Sequence, residues 1–243
     1  MSWKVPLMWE GADVWIIGGG PSITTEFGIP NEVVQSVIDK TSPPSVYSPY
    51  MSFLHDKHVI GINVAFLIGD WIDVVFFGDS NFFNSYKLPL SNFPGLKMTC
   101  SPNKDHIPWI KFLPRNPKQK RGISKDASKV SWNYNSGAAA ISIAANAGAK
   151  RIILLGFDMV LDAEENQHWH DLYNKKAQRA NKNHRGTGKS KPLPFDRHLR
   201  GFDAIAEDAK KRGITIINAS SNSRIEQFEK ISVQELIKQY KKK

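Results

Sequence analysis

Cysteine is almost absent from this sequence of 243 residues, in which Cys100 stands alone. A single cysteine cannot form an internal disulfide framework, and it excludes a zinc site built from two or more cysteines. The sequence also lacks any apolar run close to the ~20 residues that cross a membrane. Its first residues, Met-Ser-Trp-Lys, do not resemble a secretory signal. We therefore expect a cytoplasmic protein that does not bind membranes.

Acidic residues are fewer than basic ones, with 23 Asp and Glu against 33 Lys and Arg and a net charge of +10. Residues 111–129 carry a net +6 and residues 174–200 a net +8, which leaves −4 for the rest of the chain. Both segments are rich in Asn, Gly, Pro and Ser without helical or strand periodicity, which predicts loops, the second a mobile basic lid. They are either solvated loops or a surface for a polyanion such as nucleic acid.

Six short apolar runs predict β-strands, at residues 14–17, 58–62, 74–77, 96–100, 151–155 and 214–217. Unbroken apolar runs are typical of strands that are buried on both faces of a parallel sheet. Helical patterns cover residues 136–148, 202–212 and 232–240. The hydrophobic content of 41% is that of a globular chain. We predict a single α/β domain over residues 1–243, Rossmann-like, with a mainly parallel sheet.

Five of the predicted strands end in small or polar residues. In open parallel sheets, ligands bind in the crevice outside the carboxyl ends of the strands. The sequence therefore predicts one crevice, lined by residues 18–22, Asn63, Asp79, residues 156–158 and residues 218–223.

The glycines after the first strand indicate a loop that approaches a phosphate or a ribose closely. The residues are Gly18, Gly19, Gly20, Pro21 and Ser22. The loop is not a complete G-x-G-x-x-G, because Ile23 occupies the third glycine position, and no P-loop Gly-Lys-Ser/Thr follows. Asn63 stands where a nicotinamide-binding chain would carry an acidic residue, which argues against dinucleotide oxidoreduction. An ordinary tight turn between strand and helix is the alternative.

An ordered set of short motifs runs from residue 14 to residue 228. It comprises the loop 18–22, Gly61-Ile62-Asn63, Asn135-Ser136-Gly137, Gly156-Phe157-Asp158, and residues 218–223. The set resembles the sialyltransferases of glycosyltransferase family 42, which use CMP-sialic acid. It resembles equally the DUF115 group, which includes archaeal 6-hydroxymethyl-dihydropterin pyrophosphokinase and many phage proteins. The resemblance implies a phage-type member of this superfamily, acting in the host cytoplasm.

The resemblance also implies roles for the matching residues. The loop 18–22 would lie along the nucleotide phosphates and ribose, and Asn63 would contact the phosphate or the sugar. Backbone amides at Ser136 and Gly137 would bind an anion, which a helix N-terminus favours independently. The base and ribose would be framed by Gly156, Phe157 and Asp158, and Ser223 completes the predicted nucleotide-binding set.

Histidines are the candidate catalytic groups. The family's catalytic base lies in the lid before the last strand, and His198 falls near that place. An unperturbed pKa of ~6.5 suits a histidine that deprotonates a hydroxyl. His168 and His170, two residues apart, would point the same way on a strand and could share a metal with Asp158 or Asp171. General base, substrate contact and a purely structural role are their other interpretations.

Three functions are consistent with these residues. The first is a glycosyltransferase that moves a sugar from a nucleotide sugar to a hydroxyl. The second is a pterin-type pyrophosphokinase that needs Mg²⁺, with Asp79 and Asp158 as candidate ligands. The third is a non-enzymatic nucleotide or nucleic-acid binding protein. Asp79 could also orient the acceptor, or could simply cap the turn that follows it.

The location of the positive charge indicates a polyanionic acceptor. We expect DNA that carries a hydroxymethylpyrimidine, with the modified base flipped out of the duplex toward the donor. The residues predicted to bind this DNA are Lys175, Lys176, Arg179, Lys182 and Arg185.

Overall fold

The structure is a computed structural model that describes residues 3–172 and 194–242. Eight strands, all parallel to their neighbours, form one sheet in the order β5-β4-β3-β2-β1-β6-β7-β8. The strands are β1 Asp13–Ile17, β2 His58–Ile62, β3 Val74–Phe77, β4 Leu96–Thr99, β5 Lys111–Phe112, β6 Arg151–Leu155, β7 Thr215–Asn218 and β8 Glu229–Lys230. The predicted single sheet of the α/β class is confirmed.

Helices cover both faces of this sheet. The α-helices are α1 Ser22–Glu26, α2 Asn31–Ile38, α3 Ser80–Asn92, α4 Ser136–Asn146, α5 Phe195–Leu199, α6 Phe202–Arg212 and α7 Val233–Lys241. Two 3-10 helices span Pro44–Leu54 and Asn63–Ile68. None of the helices in residues 3–172 and 194–242 combines the length and the apolar character that crossing a membrane would require.

The core lies on both sides of the sheet, because alternate residues of each strand point to opposite faces. On β1, Val14 and Ile16 pack with the alanine-rich helix α4 on one face. Trp15 and Ile17 pack on the other face, where the buried residues of α7 also lie. These four β1 side chains are fully buried. Burial on both faces explains why the strands read as continuous apolar runs.

The order of the strands reverses around β1, which pairs with β2 on one side and with β6 on the other. In doubly wound sheets, connections on the two sides of such a point leave a crevice at the carboxyl edge. The loop after β1 and the loop after β6 therefore lie side by side at the place where the sequence predicts a ligand.

Some local predictions need correction. The helix predicted over residues 136–148 ends earlier, at Asn146, and its N-cap is Asn135, whose side chain accepts a hydrogen bond of 2.7 Å from the amide of Ala138. Residues 111–129 were expected to be all loop but contribute β5, which pairs with β4. Residues 195–199 of the expected lid form α5, with Phe195 buried. The predicted DNA-binding residues Lys175, Lys176, Arg179, Lys182 and Arg185 lie outside the described residues.

Candidate nucleotide-binding and catalytic site

The glycine loop, residues 18–22, is hydrogen-bonded directly to the end of β6. The amide of Gly18 donates to the carbonyl of Leu155 at 2.7 Å, and the amide of Gly20 donates to the carbonyl of Gly156 at 2.9 Å. A Cβ atom on Gly20 would lie 2.3 Å from Oδ2 of Asp158 and 2.7 Å from the Gly156 carbonyl oxygen. Glycine is therefore required here by the close approach of two backbone segments.

Asp158 holds the first turn of α1. Its carboxylate accepts from the amide of Ser22 at 2.8 Å and from the Ser22 hydroxyl, which also lies 3.1 Å from the hydroxyl of Ser220. Asp158 is only 4% exposed. Burial raises the pKa of its carboxyl, and the hydrogen bonds from Ser22 oppose that rise. Asp158, which the sequence analysis expects to frame the ribose, thus holds Ser22 at the end of the glycine loop.

Phe157 joins the end of β6 to the start of α4. Its ring packs against Gly137, where a Cβ atom would lie 2.8 Å from the ring. Its carbonyl accepts from the Ser223 hydroxyl at 2.6 Å. The amides of Ser136 and Gly137 belong to the first helical turn, where backbone donors have no intrahelical acceptor. The structure therefore brings the predicted residues of β6, α4 and the loop after β7 to one edge.

Asn63 stands at the carboxyl end of β2 in a strained backbone conformation, with φ of 51°. Its Oδ1 atom is buried and has no hydrogen-bond partner among residues 3–172 and 194–242. A buried acceptor left without a donor costs about 1–3 kcal/mol, and strain of this kind concentrates at functional sites. A ligand hydroxyl or amine would satisfy this oxygen.

The segment from His168 to His170 clamps the glycine loop from above. Nδ1 of His168 lies 3.2 Å from the carbonyl oxygen of Gly19, and the Trp169 indole donates to the carbonyl of Gly18 at 3.1 Å. Because a carbonyl only accepts, Nδ1 of His168 carries the proton of the neutral ring. No local pattern predicts the role of Trp169, which is fully buried and binds a loop 151 residues away in the chain.

The two histidines point the same way, as their spacing predicts. Their rings are stacked, with centroids 5.3 Å apart and planes 4° from parallel. His170 is 4% exposed, and its Nδ1 accepts from the amide of Leu172 at 3.2 Å. Within the described ranges, no group of three or more His, Cys, Asp or Glu side chains is arranged to hold a metal ion.

His198 lies on α5, next to the N-cap of α4. Its carbonyl accepts from the side chain of Asn135, the cap of α4, at 3.0 Å. Arg224, in the loop after β7, binds Asp196 of the same helix at 3.0 Å. Burial, and to a smaller extent the proximity of Arg197 and His168, lowers the pKa of His198 to about 4. His198 is therefore neutral at pH 7.

Burial also lowers the pKa of His168 to about 4 and that of His170 well below the ordinary value. The pKa of His168 in the folded protein lies below its unfolded value of ~6.5. The stability that comes from keeping His168 neutral is therefore fully present above pH 6.5 and is lost as the pH falls toward 4. We expect His168 alone to cost on the order of 3 kcal/mol of unfolding free energy by pH 4.

Urea unfolding at pH 7.0, 5.5 and 4.5 measures this effect. The variant His168→Gln keeps a donor for Gly19 but cannot be protonated, so its stability should fall less steeply with pH than that of the wild type. Equal slopes for the two proteins would show that His168 is not held neutral by the fold.

Asp79 caps α3, as one interpretation of the sequence expects. Its exposed carboxylate accepts from the amide of Asn81 at 2.7 Å. The neighbouring Ser80 hydroxyl lies 2.7 Å from that of Ser101 at the end of β4. Asp79 lies at the end of β3, two strands away from the glycine loop after β1.

Glu26 is a buried carboxylate that sequence reasoning missed. It ends α1 and is 8% exposed. Its Oε1 accepts from the hydroxyl of Ser221 at 2.6 Å, and its Oε2 accepts from the amide of Val233 at 3.0 Å, at the start of α7. Glu26 therefore ties the helix that follows the glycine loop to the C-terminal helix and to the loop after β7.

The first basic segment runs beside the start of α4. The amide of Asn133 donates to the carbonyl of Lys120 at 3.0 Å, and the Asn133 side chain accepts from Gly122 at 2.8 Å. Asn133 and Tyr134 both have positive φ, of 49° and 65°. These two strained residues turn the chain into the capped N-terminus of α4, beside Lys120 and Gly122. Further along the segment, the carbonyl of Ser124 accepts from the side chain of Asn146 at the other end of α4, at 3.2 Å.

No protein-family model and no curated protein matches this sequence. Solved structures share its fold. The sialyltransferase CstII from Campylobacter jejuni, in complex with cytidine-5'-monophosphate, has 16% identity and a TM-score of 0.51 over 92% of this chain and 86% of that one. The monofunctional α-2,3-sialyltransferase Cst-I from the same organism has 14% identity and a TM-score of 0.51, over 92% and 81% of the two chains.

The MAf glycosyltransferase from Magnetospirillum magneticum AMB-1 has 13% identity and a TM-score of 0.55 over 96% of this chain. The match covers 35% of that larger chain. At these identities the likeness establishes a shared fold.

Proposed function

We propose that this protein is a glycosyltransferase that moves a sugar from a nucleotide-sugar donor to a hydroxyl acceptor. The observation that carries the proposal is the carboxyl edge at β1 and β6. There the glycine loop, the first turn of α4 and neutral histidines meet. The solved structures that share the fold are glycosyltransferases, and one of them is in complex with a cytidine nucleotide. These likenesses support a nucleotide sugar as donor.

The geometry suggests how each group would act. The acceptor oxygen attacks the anomeric carbon while the bond from that carbon to the nucleotide phosphate breaks. Neutral His198 takes the proton of the acceptor hydroxyl. The amides of the glycine loop and of the first turn of α4 stabilise the negative charge of the departing phosphate. His168 and His170 keep the glycine loop in place.

The charge distribution supports DNA with a hydroxymethylpyrimidine as the acceptor. The two basic segments together hold 16 Lys and Arg residues. Two cations would suffice to bind the phosphates of a donor, so most of this charge needs another partner. The first segment lies beside α4, and a duplex held there would present a flipped base to the crevice.

The pyrophosphokinase alternative has less support. Its two candidate Mg²⁺ ligands already have other partners, since Asp79 caps α3 and Asp158 holds Ser22. Their strands are not adjacent, because β3 and β6 are separated by β2 and β1.

A panel of nucleotide sugars tests the proposal. Each is incubated with DNA that contains 5-hydroxymethylcytosine, and the nucleosides are then analysed by mass spectrometry. We expect one donor to add one sugar residue to the modified base, with unmodified cytosine DNA as the unreactive control. Transfer to a saccharide would overturn the DNA acceptor alone. The absence of both binding and nucleotide release for every donor would overturn glycosyl transfer, and AMP formation from ATP and Mg²⁺ would favour the pyrophosphokinase.

A further inference from the structure

One arginine at the crevice is held in place without an acidic partner. Nη2 of Arg115 donates to the carbonyl of Gly78 at 3.0 Å, and the guanidinium lies 3.8 Å from the centre of the Trp132 ring. Among residues 3–172 and 194–242, no carboxylate lies within ion-pair distance of Arg115. Arg151 and Arg224, by contrast, each bind an aspartate.

The surroundings of Arg115 fix the plane of its guanidinium. The backbone next to it is pinned, because Arg115 forms a bridge with Val130 and the amide of Asn116 donates to the Val130 carbonyl at 2.8 Å. Gly78 admits the indole of Trp132, since a Cβ atom there would lie 2.4 Å from the ring. The side chain is therefore oriented before any ligand arrives, which reduces the entropy lost on binding.

Several guanidinium donors remain for a ligand. Arginine has five N–H groups in a planar fork, of which one binds Gly78 and another faces the thiol of Cys100. Arg115 is solvent-exposed as a residue, so the fork is accessible. A fork of this kind matches two oxygens of one phosphate or carboxylate, and the pair of charged hydrogen bonds is stronger than a contact with lysine.

The position of Arg115 in the fold indicates that its anionic ligand belongs to the acceptor and not to the donor. Gly78 follows β3, which lies beyond β2 as seen from the glycine loop after β1. A donor phosphate at the glycine loop is on the opposite side of Asn63, which follows β2. We infer that Arg115 binds a backbone phosphate of the acceptor DNA, close to the modified base. This inference rests on the proposed DNA acceptor. It adds the residue that positions the DNA strand relative to the crevice.

A methylphosphonate scan tests the contact. Fluorescence anisotropy measures the affinity of duplexes that carry one 5-hydroxymethylcytosine and one neutral methylphosphonate at successive positions around it. One position should weaken wild-type binding about tenfold, the worth of one charge-assisted hydrogen bond. Arg115→Lys should bind the duplex that has no methylphosphonate about tenfold more weakly than the wild type does. A methylphosphonate at the sensitive position should then cause no further loss of affinity in this variant.

Arg121 provides the matched control. It lies on the same basic segment and is exposed, and its side chain makes no hydrogen bond, ion pair or ring contact with the part of the chain that the structure describes. Arg121→Lys should bind DNA like the wild type, because general charge is retained. Thermal unfolding of each variant reports whether the Trp132 contact also supports the fold.

The outcomes separate this inference from the proposed function. If the wild type binds DNA but no phosphate position depends on Arg115, or if Arg115→Lys behaves like Arg121→Lys, the inference is overturned and the acceptor stands. If the wild type does not bind any duplex at ~50 mM salt, both the inference and the DNA acceptor fail. The donor panel then still decides glycosyl transfer by nucleotide release.

Discussion

Replacing His198 with alanine is expected to lower kcat by about 10²–10⁴-fold, the usual contribution of a positioned general base. His198 lies on α5 above the capped start of α4, where a departing phosphate and an attacking hydroxyl would meet. The affinity for the nucleotide should change little, because no described contact joins His198 to the glycine loop. Steady-state rates with the active donor, together with calorimetric binding of the nucleotide, measure the two effects separately.

The dependence of the rate on pH sharpens this test. Because burial lowers the pKa of His198 to about 4, the base is already free at neutral pH. The kcat/KM of the wild type should therefore stay level from pH 8 to pH 6 and fall only as the pH approaches 4. His106 is exposed on another loop and provides the control, since His106→Ala should keep full activity. A kcat for His198→Ala within threefold of the wild type would rule out this assignment. A rate midpoint near pH 6.5 would instead contradict the lowered pKa of His198.

The second large effect is expected for Gly20→Ala. The added methyl group would lie 2.3 Å from Oδ2 of Asp158 and 2.7 Å from the Gly156 carbonyl oxygen, and neither can retreat easily. The carboxylate is held by Ser22, and the carbonyl of Gly156, which directly follows β6, is held by the amide of Gly20. We expect the unfolding free energy to fall by about 3 kcal/mol, as for overpacking of a core, and donor binding to be lost.

Gly28→Ala is the control for Gly20→Ala. Gly28 lies two residues beyond α1 at φ of 61°, and a Cβ atom there would meet nothing within 4 Å. Alanine at Gly28 should cost only the left-handed backbone penalty of about 1 kcal/mol and should leave nucleotide binding intact. Urea unfolding and calorimetry compare the two variants. Equal stability losses, or full binding by Gly20→Ala, would mean that the loop is not packed as described.

The central strands could be predicted from the sequence because burial on both faces produces unbroken apolar runs. The strand from Arg151 to Leu155 was predicted at its observed bounds. β5 and β8 could not be predicted, since each has two residues and exists only through pairing with a neighbour. α3 was also missed, because Pro89 lies inside it and Tyr86 departs from helical geometry.

The place of the crevice could also be predicted from the sequence. Parallel strands share a carboxyl edge, so Gly20, Asn63 and Gly156 could be assigned to one place without any knowledge of contacts. What holds them there could not be predicted. The bond between Ser22 and Asp158 spans 136 residues, and the one between Gly18 and Trp169 spans 151. Such contacts depend on how loops pack in three dimensions, which no local pattern records.

The buried carboxylate of Glu26 has a practical consequence for work on this protein. Through Glu26, the amide of Val233 at the start of α7 supports the turn that follows the glycine loop. The C-terminal helix is therefore not an expendable tail, and a truncated expression product that ends before Val233 would leave Oε2 of Glu26 without that donor. Affinity tags should be placed with this connection in mind, and random mutagenesis of the glycine loop would be better run alongside variation at residues 232–236.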